Sequence, residues 1–256
     1  GSRARTGFIR NPVGLLTNFG YNSRANRRSW FFALGWSSLK NPRPFIQTEN
    51  QRKQSMAETL LEAAKSFVPM IRANLDQIDS ECQLPSELAE AMAQKGLFGL
   101  YVPECFGGPE ADPITAFPVV EEISRADGSV GWCCFNGTAL TAAVSRISIE
   151  ATKELFGDPP DIRGSGSARS GGTAKVTDGG YVLNGRWNYL SGVDHAKCLF
   201  LNCDVVDDNG PLVSEDGIPV TRVAVVPLDS GTVISNWTTM GMRGTASNDA
   251  EYIDLF

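Results

Sequence analysis

The sequence has little of what metal and redox-thiol chemistry needs. It holds a single histidine, His195, among 256 residues, so the usual Cys/His zinc site cannot be completed and we expect no metal. Its six cysteines lack CxxC spacing. Cys133 and Cys134 are adjacent in an apolar stretch, where small core hydrophobes are the expected role. We therefore expect free thiols in a reducing, cytoplasmic setting.

Sequence motifs of several enzyme classes are missing as well. There is no Walker loop, no GxGxxG between a strand and a helix, no GxSxG elbow and no HExxH. Ser191 and Asp194 stand too close to His195 in sequence to converge with it as a catalytic triad. No run approaches the roughly 20 apolar residues of a membrane span.

The balance of basic and acidic residues differs between the two ends of the chain. The formal net charge is -6, yet Glu49 is the only acid within residues 1–55, a segment rich in arginine and lysine. We interpret residues 1–55 as a basic leader outside the fold. An acidic body repels nucleic acid, so binding to nucleic acid or to a membrane would depend on this leader alone, and we expect neither partner.

Residues 56–150 carry helical patterning. Apolar side chains recur at spacings of three and four after Met56, which predicts a helix with one apolar face. A second helix is predicted over 86–95 with Ser86 as N-cap. Asp112 before Pro113 predicts the start of a third helix, and Asp127 predicts the cap of a fourth.

Residues 151–256 change to β-rich patterning. Asp178-Gly179-Gly180 predicts a tight hairpin, because its central residues need positive φ. The segment 164–172, rich in glycine and serine, is compatible with a linker, a phosphate-binding nest or a loop against a flat cofactor. The sequence ends within a predicted strand, so we expect the natural protein to continue. Strands are predicted at 173–177, 181–184, 198–206, 222–227, 232–237 and 250–256.

Five segments together resemble a known family. In chain order they are 96–108, 126–132, 164–172, 179–192 and 241–245. They resemble the acyl-CoA dehydrogenase superfamily, especially two-component flavin-dependent monooxygenases similar to 4-hydroxyphenylacetate 3-hydroxylase oxygenases. The stretch 162–173 departs from true acyl-CoA dehydrogenases, whose corresponding loop contains Thr-Glu-Pro and a later Asp. This departure favours the monooxygenase branch.

The resemblance implies an α+β fold of three parts. These are an N-terminal helical domain at 56–150, a middle β-barrel-like domain at 151–256 that contacts flavin, and a C-terminal four-helix bundle absent from this sequence. It also implies an oxygenase component that hydroxylates a small aromatic substrate, with O2 as co-substrate and reduced FMN or FAD supplied by a flavin reductase. Full-length relatives form tetramers, so a homo-oligomer is expected. An acyl-CoA dehydrogenase acting on a thioester and an inactive truncated module remain alternatives.

The resemblance also assigns cofactor-binding residues. Ser191 occupies the position of a hydroxyl that contacts flavin N5, and its neighbours Tyr189, Leu190 and Gly192 belong to the same motif. A hydroxyl suits this role because it both donates and accepts hydrogen bonds. Ser167, or failing that Ser165, matches a Gly-Ser pair that borders flavin and substrate.

Two further side chains are candidates for the substrate pocket. Trp132 and Asn136 stand one helical turn apart, so one helix face can present both of them. Arg243 either offsets flavin charge or pairs with a nearby acid. The catalytic base would belong to the C-terminal bundle, and no catalytic residue is assigned.

Overall fold

The computed structural model describes Gly14–Leu15 and residues 44–256, with side chains from Lys53 onward. Most of the predicted basic leader therefore lies outside the described residues. Helix α1 spans Pro44–Ala73 and so begins upstream of Met56, while strand β1, Gly14–Leu15, pairs with the central sheet.

Helices dominate the region up to residue 156, a few residues beyond the predicted helical range of 56–150. Asp112 caps α4 by accepting a hydrogen bond from the Thr115 N–H, and Asp127 caps α5 by accepting from the Val130 N–H. The predicted cap at Ser86 was wrong by one residue, because Ser86 is already helical and Pro85 holds the N-cap position. The helices after α1 are α2 Leu75–Glu81, α3 Ser86–Gln94, α4 Pro113–Ala126, α5 Gly128–Thr141 and α6 Ile149–Phe156.

A mixed sheet follows the helices. Its strand order is β1-β6-β4-β2-β3-β8-β7, and β5 pairs with β4 beside this order. Among the described residues, β1 and β7 are the edge strands. The β2–β4 pair is parallel and the other described pairs are antiparallel. The strands are β2 Gly164–Thr177, β3 Gly180–Leu190, β4 Cys198–Asp207, β5 Gly210–Pro211, β6 Thr221–Pro227, β7 Thr232–Ile234 and β8 Asn248–Leu255.

The glycine- and serine-rich segment 164–172 is part of strand β2, which corrects the interpretation as a linker or loop. Its register against β4 shifts between Ser167 and Gly172. Added Cβ atoms at Gly171 and Gly172 would come within 2.8 and 2.6 Å of the Trp187 indole, which is fully buried. The glycines therefore make room for a large core side chain on the neighbouring strand.

Helix α5 connects the helical region to the sheet. It packs on α4 and also lies against β2. Its buried face belongs to the helical core, which includes Leu88, Leu97, Ile123 and Val130. A second core, built around Trp187, Leu190 and Tyr252, fills the sheet. No helix of the described residues is long and apolar enough to cross a membrane.

Candidate functional site

A cavity of about 550 Å³ opens where α5 faces the ends of β2 and β3. This volume falls in the usual range for small-molecule sites. Four of the side chains that the sequence singles out line it, together with Ser167 from the glycine-rich strand. The lining residues are Trp132, Asn136, Gly166, Ser167, Ala168, Tyr189, Ser191, Trp237, Met242, Thr245 and Ser247.

The end of β3 directs its side chains to opposite faces. Leu190 is fully buried in the sheet core, whereas Tyr189 is 60% exposed at the cavity, as strand alternation requires. Tyr189 has a φ of 61°, in the left-handed region that non-glycine residues rarely adopt. Met242 and Ala246, beside the same cavity, also have positive φ. Strained backbone of this kind is concentrated at functional sites in proteins.

Ser191 is the centre of the hydrogen bonding beside the cavity. Its Oγ accepts a hydrogen bond of 2.8 Å from Trp132 Nε1, and its carbonyl accepts one of 3.0 Å from Asn136 Nδ2. Ser165 Oγ donates to the same carbonyl over 2.9 Å. One residue thus joins α5, β2 and the end of β3, and the turn after β3 is fixed from two sides.

The floor of the cavity comes from the segment before β8. Ser191 Oγ lies 2.7 Å from Ser247 Oγ, which lies 2.6 Å from Thr245 Oγ1. Gly192 has a φ of 79° and donates its N–H to the Thr245 carbonyl over 2.7 Å. The turn therefore requires glycine at position 192 for its positive φ, and Gly192 does not line the cavity.

The two serines of the glycine-rich strand occupy different positions. Ser167 lines the main cavity and also an adjoining, mainly apolar cavity of about 320 Å³, which includes Leu140, Phe200 and one arginine, Arg222. Ser165 is fully buried and reaches the cavity only through its bond to the Ser191 carbonyl.

Sequence reasoning missed four lining residues, namely Trp237, Met242, Thr245 and Ser247. The family-like motif 241–245 was the available signal, because it contains Met242 and Thr245. Trp237 and Ser247 had no such signal. The Tyr189 and Trp237 rings meet edge to face with centroids 6.2 Å apart. This contact depends on β8, which pairs with β3 and with β7, the strand just before Trp237, and whose Asn248 Oδ1 accepts from the Trp237 N–H.

The cavity is lined by hydroxyl, amide, thioether and aromatic groups. Among the described lining residues there is no carboxylate, histidine, lysine or arginine. His195 lies elsewhere, with its ring 4.5 Å from that of Phe98. Burial, followed by the charge of Arg163, lowers the pKa of His195 to about 4. The histidine is therefore neutral near pH 7, and it is not among the residues that line the cavity.

Arg243 and the cysteines lie outside the lining of the cavity. Arg243 forms an ion pair of 3.1 Å with Asp79, which supports its interpretation as a turn arginine paired with an acid. All six cysteines are free, and burial raises the pKa of Cys134 to about 12. The described residues contain no cluster of ligands suited to a metal ion.

Comparison with known proteins agrees with the sequence-based resemblance. Residues 53–157 match the model of the acyl-CoA dehydrogenase N-terminal domain. The oxygenase subunit HsaA, a flavin-dependent monooxygenase of Rhodococcus jostii (strain RHA1), is 30% identical over 197 residues, which are 77% of this chain and 50% of that protein. Indole-3-acetate monooxygenase of Pseudomonas putida is 29% identical over 198 residues, or 77% of this chain and 48% of its own length.

A solved structure shows the same similarity in three dimensions. XiaF from Streptomyces sp., in complex with FADH2 and glycerol, matches this chain with a TM-score of 0.71 at 29% identity. The match covers 82% of this chain and 51% of XiaF. The chain thus spans about half the length of the relatives it matches. The resemblance to the acyl-CoA dehydrogenase superfamily and its flavin-dependent monooxygenase branch is confirmed.

Proposed function

We propose, on the premise of this similarity to flavin-dependent monooxygenases, that the chain binds reduced flavin in the cavity beside Ser191. The observation that carries the proposal is the cavity itself, where Trp132, Asn136 and Ser191 are joined by hydrogen bonds at the junction of α5 and β3. The protein would then be the oxygenase component of a system that hydroxylates an aromatic substrate with O2.

The cavity has the properties that a flavin ring requires. Its volume of about 550 Å³ suits a flat tricyclic ring, and Trp132, Tyr189 and Trp237 supply aromatic surface. The cavity is neutral, so FMN and FAD both remain suitable and no lining charge repels the reduced ring. When bound, reduced flavin supplies the electrons with which O2 is activated.

The residues of this chain would bind and orient the ring and exclude water from it. Ser191 Oγ would meet flavin N5, while Asn136 and Ser165 hold the Ser191 carbonyl and so fix the hydroxyl's position. Tyr189 and Trp132 would cover the ring edges and reduce access of water. Leu190 and Gly192 would act through the backbone, one by anchoring β3 in the core and the other by forming the turn.

The substrate would lie on the Ser167 side of the ring. Ser167 is shared by the main cavity and the adjoining apolar cavity, which offers space for an aromatic ring beside the flavin site. One relative is named as a monooxygenase of indole-3-acetate, an aromatic acid, which supports a small aromatic substrate here.

A separate reductase would supply the reduced flavin. The HsaA relative is named as an oxygenase subunit, which implies a partner component.

Anaerobic titration tests the proposal. Reduced FMN and reduced FAD are added separately to the chain, and binding is measured by quenching of tryptophan fluorescence. We expect Ser191→Ala to weaken binding by up to about tenfold, because a lost hydrogen bond costs about 0.5–1.5 kcal/mol. Ser145→Ala is the matched control, since Ser145 is exposed and bonds only to the Ala142 carbonyl. Absence of binding in the parent chain, or equal effects of both variants, would contradict the proposal.

A further inference from the structure

Strand β2 bulges away from β4 opposite a single residue, Asn202. Residues 168–171 of β2 lie opposite Asn202 alone, between the paired residues on either side of the register shift. Bulges are common next to functional sites, where they redirect side chains. This bulge begins at the boundary of the main and the adjoining cavity, because Ser167 and Ala168 line both of them.

The side chain of Asn202 connects β4 to this bulge and is oriented by it. Its Nδ2 donates a hydrogen bond of 3.0 Å to the Ala168 carbonyl. A carbonyl oxygen can only accept, so the amide nitrogen must face Ala168 and the amide oxygen, Oδ1, must lie on the other side. Within the part of the chain whose side chains the structure describes, no donor reaches Oδ1. The amide therefore retains an acceptor with both of its lone pairs.

Strand alternation directs Asn202 into the adjoining cavity. Phe200 stands two residues earlier on β4 and so faces the same side of the sheet, and both residues line that cavity. Val223, the partner of Asn202 on β6, lines it as well. Arg222 instead alternates with Ala224 of the sheet core, so its side chain leaves β6 on the opposite face. Asn202 is therefore the side-chain amide that this cavity presents to a ligand.

An acceptor in a mainly apolar cavity restricts the chemistry of the ligand. Leu140 and Phe200 offer apolar contact to an aromatic ring, while Asn202 Oδ1 can bind an N–H or O–H group on that ring. A ring without such a group would displace water from Oδ1 and leave it without a partner, which costs free energy. A site of this kind discriminates against analogues that lack the hydrogen-bonding group.

We propose that Asn202 is a specificity-determining residue whose Oδ1 accepts a hydrogen bond from an N–H or O–H group of the aromatic substrate. The proposal rests on the proposed function for the reaction that follows, but recognition of the ring by Asn202 needs no flavin. The donor group would lie at Asn202 in the adjoining cavity, and the ring would extend past Ser167 toward the cavity beside Ser191. The substrate class is thus a small aromatic that carries such a donor.

Two probes of nearly the same shape test the proposal in the absence of flavin. Indole carries a ring N–H, and benzothiophene has sulfur in its place. Isothermal titration calorimetry of the full chain with each probe gives two dissociation constants. We expect indole to bind about three- to tenfold more tightly, the effect of one hydrogen bond. In Asn202→Leu this preference should disappear, because leucine fills a similar space without an acceptor.

Asn202→Asp separates recognition from a structural role. A carboxylate cannot donate to the Ala168 carbonyl but still accepts, so this variant should lose the contact with the bulge and retain the preference for indole. Asn209→Leu is the matched control, because Asn209 is exposed and lines neither cavity, and it should keep the parent ratio. Weakening of both probes by the same factor in Asn202→Leu would show that Asn202 acts only through the bulge and would overturn the proposal.

The same titrations, set beside the binding of reduced flavin, distinguish this proposal from the proposed function. If the parent chain binds reduced flavin but shows no preference for indole, or binds neither probe, the role of Asn202 is refuted and the flavin site stands. If the parent prefers indole and Asn202→Leu abolishes the preference, the recognition by Asn202 is supported. Absence of flavin binding in that same chain would then refute the proposed function alone.

Discussion

The Ser191 carbonyl illustrates how individual residues fix the site. It accepts from Asn136 on α5 and from the fully buried Ser165 on β2, two donors that come from different elements. Either donor alone leaves the carbonyl satisfied. Loss of both would leave a buried acceptor without a side-chain partner, and such groups cost more than the net value of one hydrogen bond.

A double-mutant cycle measures this shared acceptor. We expect Ser165→Ala and Asn136→Ala to destabilise the protein by about 1 kcal/mol each. The double variant should lose more than the sum, with a coupling of at least about 0.5 kcal/mol. Chemical denaturation followed by circular dichroism gives the free energies of unfolding. Additive losses would show that the two bonds act independently and that the carbonyl finds another partner.

The sequence predicted the cavity residues on α5 and at the end of β3, but not Ser247 in the segment before β8. Trp132 and Asn136 follow from helical spacing, and Ser191 from a resemblance at the end of β3. Ser165 was expected as an alternative to Ser167, yet Ser165 is fully buried whereas Ser167 lines the cavity, so the two serines have different roles. Ser247 could not be predicted, because its place depends on the pairing of β8 with β3 rather than on local pattern.

At the scale of elements, β2 shows how tertiary structure overrides composition. Glycine and serine are poor strand formers, and the segment 164–172 is compatible with a linker on composition alone. In the fold it lies between β3 and β4, where Trp187 and Phe200 leave no room for larger residues. The helices were easier to predict, because caps such as Asp112 and Asp127 are local signals.

Close packing at Gly166 predicts a strong effect of one methyl group. A Cβ at this position would overlap the carbonyl oxygen of Phe200 on β4, which is backbone and cannot rotate away. We expect Gly166→Ala to destabilise the protein by about 1–3 kcal/mol, as overpacking typically does. Thermal unfolding checks this against Gly241→Ala, where a Cβ meets nothing within 4 Å. Equal melting temperatures for the two variants would contradict the packing at β2.

At the scale of the whole molecule, His195 lies between the helical region and the sheet. Its ring contacts Phe98, which belongs to the helical core, while its backbone follows the turn that begins at Gly192. Burial lowers its pKa from 6.5 to about 4, with Arg163 acting in the same direction. The folded state therefore disfavours the protonated ring.

This depressed pKa predicts a pH dependence of stability. Above pH 6.5 the ring is neutral in the folded and the unfolded state, so its protonation does not change the free energy of unfolding. As pH falls from 6.5 toward 4, the unfolded state takes up the proton first, so the free energy of unfolding decreases. His195→Gln should flatten this part of the curve. Chemical denaturation at several pH values gives the free energy of unfolding of the parent and of His195→Gln. The same pH dependence in both proteins would contradict the buried environment assigned to His195.

The helical region, the sheet and the segment before β8 meet at one cavity, and the central claim is that this cavity binds reduced flavin. The most direct test is a crystal structure of the chain grown anaerobically with reduced FMN. We predict that the ring lies between Trp132 and Tyr189, with flavin N5 within hydrogen-bonding distance of Ser191 Oγ. A ring bound elsewhere on the protein, or one whose N5 faces away from Ser191, would contradict the account.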